Sequence, residues 1–245
     1  MLQVLKALSI ETLKTKRTLV RQLIWVFPFL VAIVTFLLFA AAGYVAQSII
    51  NQWSCIWFPL FLALIIGLND RHEKNSTEYK MILSSPDDLF SYELGRILHG
   101  SLQGLITSLV LVILVCVLSF VTVTSVSVSS IILAILGLWL VNLWQVPLYT
   151  WISRLTNMYV TVLIAAIGVF IGIEINEYAW GKIWPFTWSE IFPISLIKIK
   201  INGLPIANTS GLSNNYWTIG AALVLFVILS YLGARSFRNQ VKKND

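Results

Sequence analysis

The chain has 245 residues, of which 58% are hydrophobic and only 11% are charged, and its mean hydropathy is +0.82. A soluble globule needs a more polar surface than this composition supplies, so we interpret the chain as an integral membrane protein. The net charge of +6 is explained by contact with anionic lipid and requires no nucleic-acid partner.

The first 22 residues predict an amphipathic helix on the membrane surface. Apolar residues recur at Leu2, Leu5, Leu8 and Leu13, with lysines between them. This pattern is typical of an interfacial helix that precedes a first membrane span. A disordered basic tail is the alternative interpretation. A cleaved signal peptide is disfavoured, because the apolar run that follows is longer than a secretory core segment.

Six apolar runs of near-membrane length predict an all-α polytopic fold in a single transmembrane domain, residues 1–245. A helix needs about 20 apolar residues to cross a hydrocarbon core of about 30 Å. Barrel strands are excluded because they alternate polar and apolar residues, whereas these runs are apolar on every side. The second and fifth predicted spans are short, and the six cover residues 23–46, 53–68, 97–120, 126–148, 158–175 and 216–234.

The basic residues are distributed unevenly between the two sides of this fold. With six spans, 14 of the 17 lysines and arginines fall on the side that holds both termini, segment 69–94 with the adjoining Arg96, and Arg154. The opposite side keeps Lys182, Lys198 and Lys200. Because cytoplasmic flanks retain positive charge during insertion, we predict that both termini and segment 69–94 are cytoplasmic. Segment 176–215 then faces outward from the plasma membrane.

Segment 69–94 is the main polar interruption between the apolar runs. It contains an amphipathic turn in which Tyr79, Ile82 and Leu83 are spaced i, i+3 and i+4, and the turn is ended by Ser-Ser-Pro at residues 84–86. This turn presents an apolar face outside the membrane. The pattern therefore predicts an interaction site.

Motifs for catalysis or metal binding are missing from the sequence. His72 and His99 have no second ligand at metal spacing. Cys55 and Cys116 lie in apolar runs and are interpreted as small hydrophobic residues, and a disulfide between them is left open. No G-x-x-x-x-G-K-[ST] loop is present to hold ATP phosphates. We therefore predict no enzymatic activity, no metal and no cofactor on this chain.

The predicted spans also contain almost no ionisable residues. His99 at a cytoplasmic edge and Glu174 at an outer edge are the nearest candidates, which argues against a proton- or ion-coupled carrier. The glycine pairs Gly100/Gly104 and Gly168/Gly172 are interpreted as helix–helix contacts.

The outward segment 176–215 is rich in aromatic residues. Trp180, Trp184 and Trp188 are spaced i, i+4 and i+8, which would place them on one face of a helix on the outer membrane surface, although Pro185 would interrupt it. The face serves either as a lipid anchor or as a contact surface for a hydrophobic ligand. We include Glu174 and Glu177 with these tryptophans as candidate contacts for substrate or the outer surface.

The chain resembles the ABC-2 type permeases. Residues 73–77, Glu-Lys-Asn-Ser-Thr, followed by 81–86, Met-Ile-Leu-Ser-Ser-Pro, are similar to that family's loop, in which an acidic-basic-polar stretch precedes Leu-Leu-x-Ser-Pro. Ser76 stands where the family usually has Gly. Residues 11–17 resemble the Glu-x-x-Lys-x-[KR]-[KR] start of small Gram-positive members, and the length and span order are most similar to the lantibiotic immunity permeases.

The resemblance implies a permease subunit of an ATP-driven exporter. In that family the loop between the second and third spans forms a coupling helix that docks on a cytoplasmic ATPase, which binds ATP and Mg²⁺. A second permease chain, identical or homologous, completes the transporter, and a hydrophobic or amphipathic peptide is expelled to give immunity. The residues implied in ATPase coupling are Glu73, Thr77, Glu78, Tyr79, Met81, Ile82, Leu83 and Pro86.

Two other functions remain open at this stage. One is an ABC-2 exporter of another hydrophobic or ionic solute. The other is a non-transporting sensor or immunity protein that sequesters its ligand with the aromatic outer segment. Co-purification of an ATPase separates the exporters from the second alternative.

The charge distribution gives a first prediction. In a background without Cys55 and Cys116, an impermeant thiol reagent applied to intact cells should label Asn208→Cys and leave Ser76→Cys unlabelled, because only segment 176–215 is expected outside. Labelling of Ser76→Cys in intact cells would reverse the orientation.

Overall fold

The computed structural model describes residues 2–40, 43–77, 88–122, 126–207 and 212–241. These residues are predominantly helical, which confirms the predicted all-α class. They contain no β-strand, and an isolated β-bridge joins Ile199 to Pro205.

The α-helices follow one another along the described chain with short 3-10 and π turns between some of them. They are α1 (Leu2–Lys14), α2 (Leu19–Phe39), α3 (Val45–Gln52), α4 (Phe58–Thr77), α5 (Leu89–Val121), α6 (Val128–Asn142), α7 (Gln145–Leu155), α8 (Met158–Ile175), α9 (Pro185–Ile191), α10 (Ile194–Ile197) and α11 (Trp217–Val241).

Several of these helices match the requirements of membrane spans. In the described ranges, five helical segments are long and apolar enough to cross a membrane, and α6 with α7, bent by 42°, gives a sixth if the pair is one span. The sequence prediction of a polytopic helical membrane protein agrees with this finding. The five segments are Leu19–Phe39, Val45–Ser76, Leu89–Val121, Met158–Ile175 and Trp217–Asn239.

The helix boundaries near the N-terminus differ from the prediction. The interfacial helix was expected to reach residue 22, but α1 ends at Lys14 and a 3-10 turn, Thr15–Arg17, follows it. Thr18 is extended, so α2 begins four residues before the predicted first span and ends at Phe39 rather than residue 46. Gly43 has a φ of +74°, a conformation that glycine adopts without a steric penalty, and it lies in the turn into α3.

The second span is longer than predicted. It was expected at residues 53–68, yet helix runs from Val45 to Thr77 through a π turn at Trp53–Trp57. The π turn precedes Pro59, which has no amide proton for a regular helical hydrogen bond. The polar end of α4 stays helical because Asp70 and Glu73 are paired with side chains of neighbouring helices.

The predicted fourth span, residues 126–148, is divided into α6 and α7. Pro147 lies in the first turn of α7, where it cannot donate to the carbonyl of Leu143. Side chains stabilise the break, since Asn142 Nδ2 donates to the Leu138 carbonyl and Gln145 Nε2 donates to Asn142 Oδ1, both at 2.8 Å.

Helix α5 is the element against which much of the bundle is assembled. It begins at Leu89 rather than residue 97, and Asp88 caps it by accepting from the amide of Ser91 at 3.1 Å. Gly100 and Gly104 lie against Val146 and Leu62, as expected for helix–helix contacts.

Helix α1 lies against α5 through a face of small and polar residues. A Cβ added to Gly95 would come within 2.5 Å of Ala7 Cβ, so only glycine permits this approach. The leucines that define the amphipathic pattern are on the other side, and Leu2, Leu5 and Leu13 are exposed. This arrangement fits a helix that rests on a membrane surface with its apolar residues toward lipid.

Residues 184–197, after α8, fold back into the bundle. Helix α9 packs on α8, where Phe186 and Glu190 cover Gly168 and Gly172. Ser189 Oγ donates to the Ser54 carbonyl in the π turn at 2.6 Å. The glycines Gly168 and Gly172 therefore provide a helix–helix contact, as predicted, but with α9 rather than with another span.

Candidate functional site

Charged side chains converge where α1 meets α4, α5 and α7. We call this group the ionic cluster, and it consists of Glu11, Lys14, Asp70, Glu73, Tyr92, Glu93, Arg96 and Arg154. Charged residues inside helical membrane bundles are costly unless they are paired. Such a concentration in one place therefore marks a candidate functional site.

Lys14 connects α1 to two other helices. Its ammonium group lies 2.7 Å from a carboxylate oxygen of Glu73 in α4 and 2.9 Å from the Tyr92 hydroxyl in α5. It also contacts Glu11 at 3.0 Å, and the Tyr92 hydroxyl donates to the same Glu11 carboxylate. Three helices are thus held together by one cation and one phenol.

Arg96 forms the second centre of the ionic cluster. Its guanidinium donates to Asp70 of α4 at 2.7 Å and to Glu93 of its own helix at 3.2 Å. Glu93 also accepts from Arg154 of α7, and the Arg154 guanidinium lies 4.7 Å from the centre of the Phe237 ring in α11. Glu93 and Arg154 therefore extend the cluster from Arg96 to α7 and α11.

The charge state of Glu11 follows from these neighbours. Burial raises the pKa of its carboxyl group, but the positive charges of Arg96 and Lys14 and the hydrogen bond from Tyr92 outweigh burial and hold the pKa below its usual range. The carboxylate is therefore ionised near neutral pH. Its contribution to stability is present above the ordinary pKa of glutamate and is lost as the pH falls below that range.

A chain of neutral hydrogen bonds continues from the ionic cluster along α5. The imidazole nitrogens of His99 lie 3.3 Å from the hydroxyls of Thr12 and Thr15, and Nε2 lies 2.9 Å from Gln103 Nε2. Asn69 donates to Gln103 at 2.8 Å. His99 itself is buried between α1 and α5.

The residues predicted for ATPase coupling fall mostly beyond the structural description. Glu73 belongs to the ionic cluster and is 5% exposed. Its carboxylate contacts Lys14 of this chain. Thr77 is the last residue of α4. The positions that lie outside the described residues are Glu78, Tyr79, Met81, Ile82, Leu83 and Pro86.

The three tryptophans of segment 176–215 do not share a helical face, so that prediction is wrong. Trp180 is exposed in a 3-10 turn, Ala179–Ile183, and Trp184 is extended. Trp188 lies in α9 and is buried. The cause is Pro185, which occupies the first position of α9 and so separates the three residues into different elements.

The tryptophan side chains also differ in their contacts. Trp184 Nε1 donates to the Gly168 carbonyl at 2.9 Å, and Trp188 Nε1 donates to the Lys182 carbonyl at 2.8 Å. The exposed Trp180 stacks on Tyr178 with 5.7 Å between the ring centres. The inward tryptophans hold the folded-back segment in place, which leaves Trp180 as the member available for external contact.

The two acidic candidates near the end of α8 are both exposed. Glu177 borders a cavity of about 320 Å³ that is also lined by Asn176, Lys200 and Asn202. Glu174 lies one turn earlier, near the end of α8. Glu177 is therefore the acidic candidate with an adjoining space for a ligand.

Glu190 is a buried acid that the sequence interpretation missed. It is 1% exposed, and neither carboxylate oxygen has a hydrogen-bond partner in the described part of the chain. One oxygen lies so close to Gly172 that an added Cβ there would come within 2.6 Å of it. Burial without a partner raises the pKa of Glu190 to about 9, so the carboxyl group is protonated at neutral pH.

In the sequence, Arg96 and Arg154 served only as positive charges that indicate the orientation of the spans. The acidic partners Asp70 and Glu93 could have been suspected, since Glu93 and Arg96 are spaced i, i+3 and Asp70 lies two residues after an apolar run. Glu190 had a weaker signal, as the acidic residue within an aromatic stretch.

Comparison with models of known protein families, with curated proteins and with solved structures gives no match. Among the described residues, no group of three His, Cys, Asp or Glu side chains is arranged to hold a metal ion, and Cys55 and Cys116 are free thiols. The ionic cluster and Glu190 are thus the most unusual chemical features of the described ranges.

The pairing of Arg96 can be tested by removing its charge. Arg96→Met should lower the free energy of unfolding by about 3–5 kcal/mol, because Asp70 and Glu93 lose a buried counter-ion. Adding Asp70→Asn should restore part of the lost free energy of unfolding, because residue 70 is then neutral and Arg154 balances the remaining charge of Glu93. Thermal unfolding in detergent measures both effects, and exposed Arg235→Met is the control, expected within about 0.5 kcal/mol of wild type. Equal stability of Arg96→Met and the control would contradict the role of the cluster.

The protonated state of Glu190 predicts a pH dependence. The folded protein keeps a proton that the unfolded chain releases, so stability should decrease as the pH rises from the ordinary glutamate value of 4.5 toward about 9. The slope for one proton is about 1.4 kcal/mol per pH unit. Glu190→Gln should abolish this decrease in thermal unfolding midpoints, whereas exposed Glu174→Gln should retain it. An unchanged pH profile in Glu190→Gln would show that the carboxyl group ionises freely in the fold.

Proposed function

We propose that this chain is the membrane permease subunit of an ATP-driven exporter of the ABC-2 type. Its proposed substrate is a hydrophobic or amphipathic peptide, such as a lantibiotic, whose expulsion gives immunity. The ionic cluster is the observation that carries this proposal. Residues 78–87 connect α4 to α5, and the cluster fastens these two helices to each other, α4 to α1 and α5 to α7.

This geometry favours transmission of force from the connecting loop to the bundle. Lys14 and Arg96 each join α4 to α5, so the two helices that flank the loop are held to each other and to their neighbours. A partner that displaces the loop would therefore move α1, α4 and α5 together. Loosely packed helices would absorb such a displacement locally instead.

The residues that meet the ATPase in this proposal are those of the amphipathic turn. Tyr79, Ile82 and Leu83 supply the apolar anchors, with Glu78 and Met81 beside them and Pro86 at the end of the loop. Glu73 and Thr77 hold the base of the loop from α4. The partner ATPase binds ATP and Mg²⁺, since this sequence has no phosphate-binding loop.

The proposal includes an orientation and an assembly. Both termini and residues 78–87 lie in the cytoplasm. The family that the chain resembles indicates a Gram-positive bacterium. A second permease chain completes the exporter. Substrate leaves along the seam between the two permeases. Trp180, Glu174 and Glu177 are the outer residues that contact it, because all three are exposed and lie at or just after the C-terminal end of α8.

The coupling loop provides the test of this function. Leu83→Asp, or Tyr79→Ala combined with Ile82→Ala, should leave the protein inserted at normal level but remove the ATPase from the purified complex and abolish resistance. Truncating a buried interface anchor costs about 2 kcal/mol or more, which is over tenfold in affinity. Co-purification and growth in the presence of the peptide measure the two effects.

Two control variants separate coupling from other defects. Exposed Asn75→Ala should retain both the ATPase and resistance. Exposed Trp180→Ala should retain the ATPase and change resistance only. If the loop variants assemble and function normally, or if resistance proceeds with no ATPase in the complex, the exporter proposal is wrong and a sequestering immunity protein becomes the better explanation.

A further inference from the structure

A cavity of about 410 Å³ lies beside the ionic cluster, between α1, α2 and α5. Its lining includes two cations, Lys16 and Arg21, and the neutral polar residues His99 and Gln103. Trp25 of α2 and Ile106 of α5 form an apolar end. The cavity belongs to neither the predicted coupling loop nor the outward segment, and no role has yet been assigned to it.

The two cations of the cavity have no acidic partners among the described residues. The salt bridges of this end of the bundle use Lys14, Arg96 and Arg154, whereas Lys16 and Arg21 form none. Arg21 makes a long contact of 3.4 Å from Nη1 to the Lys16 carbonyl, which brings the two residues to the same place. The cavity therefore presents positive charge that is left for a ligand.

The polar floor of the cavity is internally satisfied. His99 contacts Thr12, Thr15 and Gln103, and the hydroxyls of Thr12 and Thr15 donate to backbone carbonyls at 2.8 Å and 3.1 Å. These groups do not need a ligand. Anion recognition thus falls to Lys16 and Arg21, of which the arginine can bind phosphate oxygens in a bidentate manner.

Polarity changes in the same direction along both helices that border the cavity. On α2, Arg21 is followed one turn later by Trp25, which is 53% exposed, and on α5 Gln103 is followed by Ile106, which is 40% exposed. Beyond the cavity the same helices continue with exposed apolar side chains, including Phe29 and Ile113. A ligand that fills the cavity must therefore have an anionic end and an apolar end.

We propose that this cavity binds an anionic phospholipid from the membrane leaflet on which α1 rests. The phosphate lies between Lys16 and Arg21, and the acyl chains run along Trp25 and Ile106 onto the exposed surfaces of α2 and α5. A free phosphate would contact only Lys16 and Arg21 at the charged end. Trp25 and Ile106 at the apolar end would then stay in contact with membrane lipid. The site requires only that α2 and α5 lie in a membrane, so it does not depend on the exporter proposal.

Binding of this lipid would join the interfacial helix to the first long helix. Lys16 lies in the 3-10 turn after α1, and Arg21 lies in the first turns of α2. An anion between them would fix the angle between the two helices at Thr18, where the backbone is extended. Anionic lipid thereby holds α1 in the position that the ionic cluster also requires.

Native mass spectrometry can test the site on the full chain, purified in mild detergent with any partner subunit that remains bound. Phosphatidylglycerol and phosphatidylcholine of equal chain length are added in parallel titrations. Wild type should retain phosphatidylglycerol preferentially. Lys16→Gln with Arg21→Gln should weaken its retention by about tenfold or more, because each basic residue near an anionic lipid contributes about 1 kcal/mol.

A charge-matched control comes from the same end of the bundle. Arg17→Gln with Lys74→Gln also removes two exposed positive charges, but neither residue lines the cavity, so the lipid preference should remain. Ile106→Trp fills the apolar end without changing charge and should reduce retention of phosphatidylglycerol.

Two outcomes would overturn the proposal. One is an equal loss of preference in the cavity variant and the control, which would mean a general attraction between charges. The other is efficient competition by inorganic phosphate together with unchanged binding in Ile106→Trp, which would identify an anion site without a lipid component.

Discussion

Pairing of buried charge is the constraint on which the rest of this structure depends. Removing a carboxylate or guanidinium from water costs several kcal/mol per ion unless an opposite charge meets it with good geometry. Arg96, with Asp70 and Glu93 on either side, meets that requirement by joining α4 to α5, and Lys14 does the same for α1. The positions of these helices follow from the need to complete both sets of contacts. Apolar packing alone would leave the helices free to shift along or rotate against each other.

The two ends of the bundle use ionisable residues in opposite ways. At the end near α1, acids and bases neutralise one another, and the result is a rigid connection among several helices. At the other end Glu190 is buried without a hydrogen-bond partner among the described residues and holds a proton instead. Paired charges resist a change in their protonation. A buried carboxyl group without a partner changes its protonation state when its surroundings change. Movement of α9 that gave Glu190 access to water would therefore release a proton.

Helix α1 has a packed face and an exposed face with different roles. Its small residues approach Gly95 of α5, Glu11 and Lys14 enter the ionic cluster, and its leucines remain exposed. The following turn supplies Lys16 to the cavity that we assign to anionic lipid. The turn after α1 thus connects the proposed lipid site to the ionic cluster, which also lies beside the proposed coupling loop.

The sequence by itself determined the all-helical class, the approximate number of apolar helices and the amphipathic N-terminal helix, because these depend on local composition and on periodicity along one helix. It did not determine the break between α6 and α7, the extension of α4 to Thr77 or the separation of Trp180, Trp184 and Trp188. Only the tertiary structure decided which charges are paired. Asp70 and Arg96 are far apart in sequence and look like ordinary polar flanks until α4 and α5 lie side by side. Glu190 likewise looks exposed within the aromatic stretch of segment 176–215 until α9 folds back against Gly172. Burial and pairing are properties of several helices together, so no pattern within one helix could reveal them.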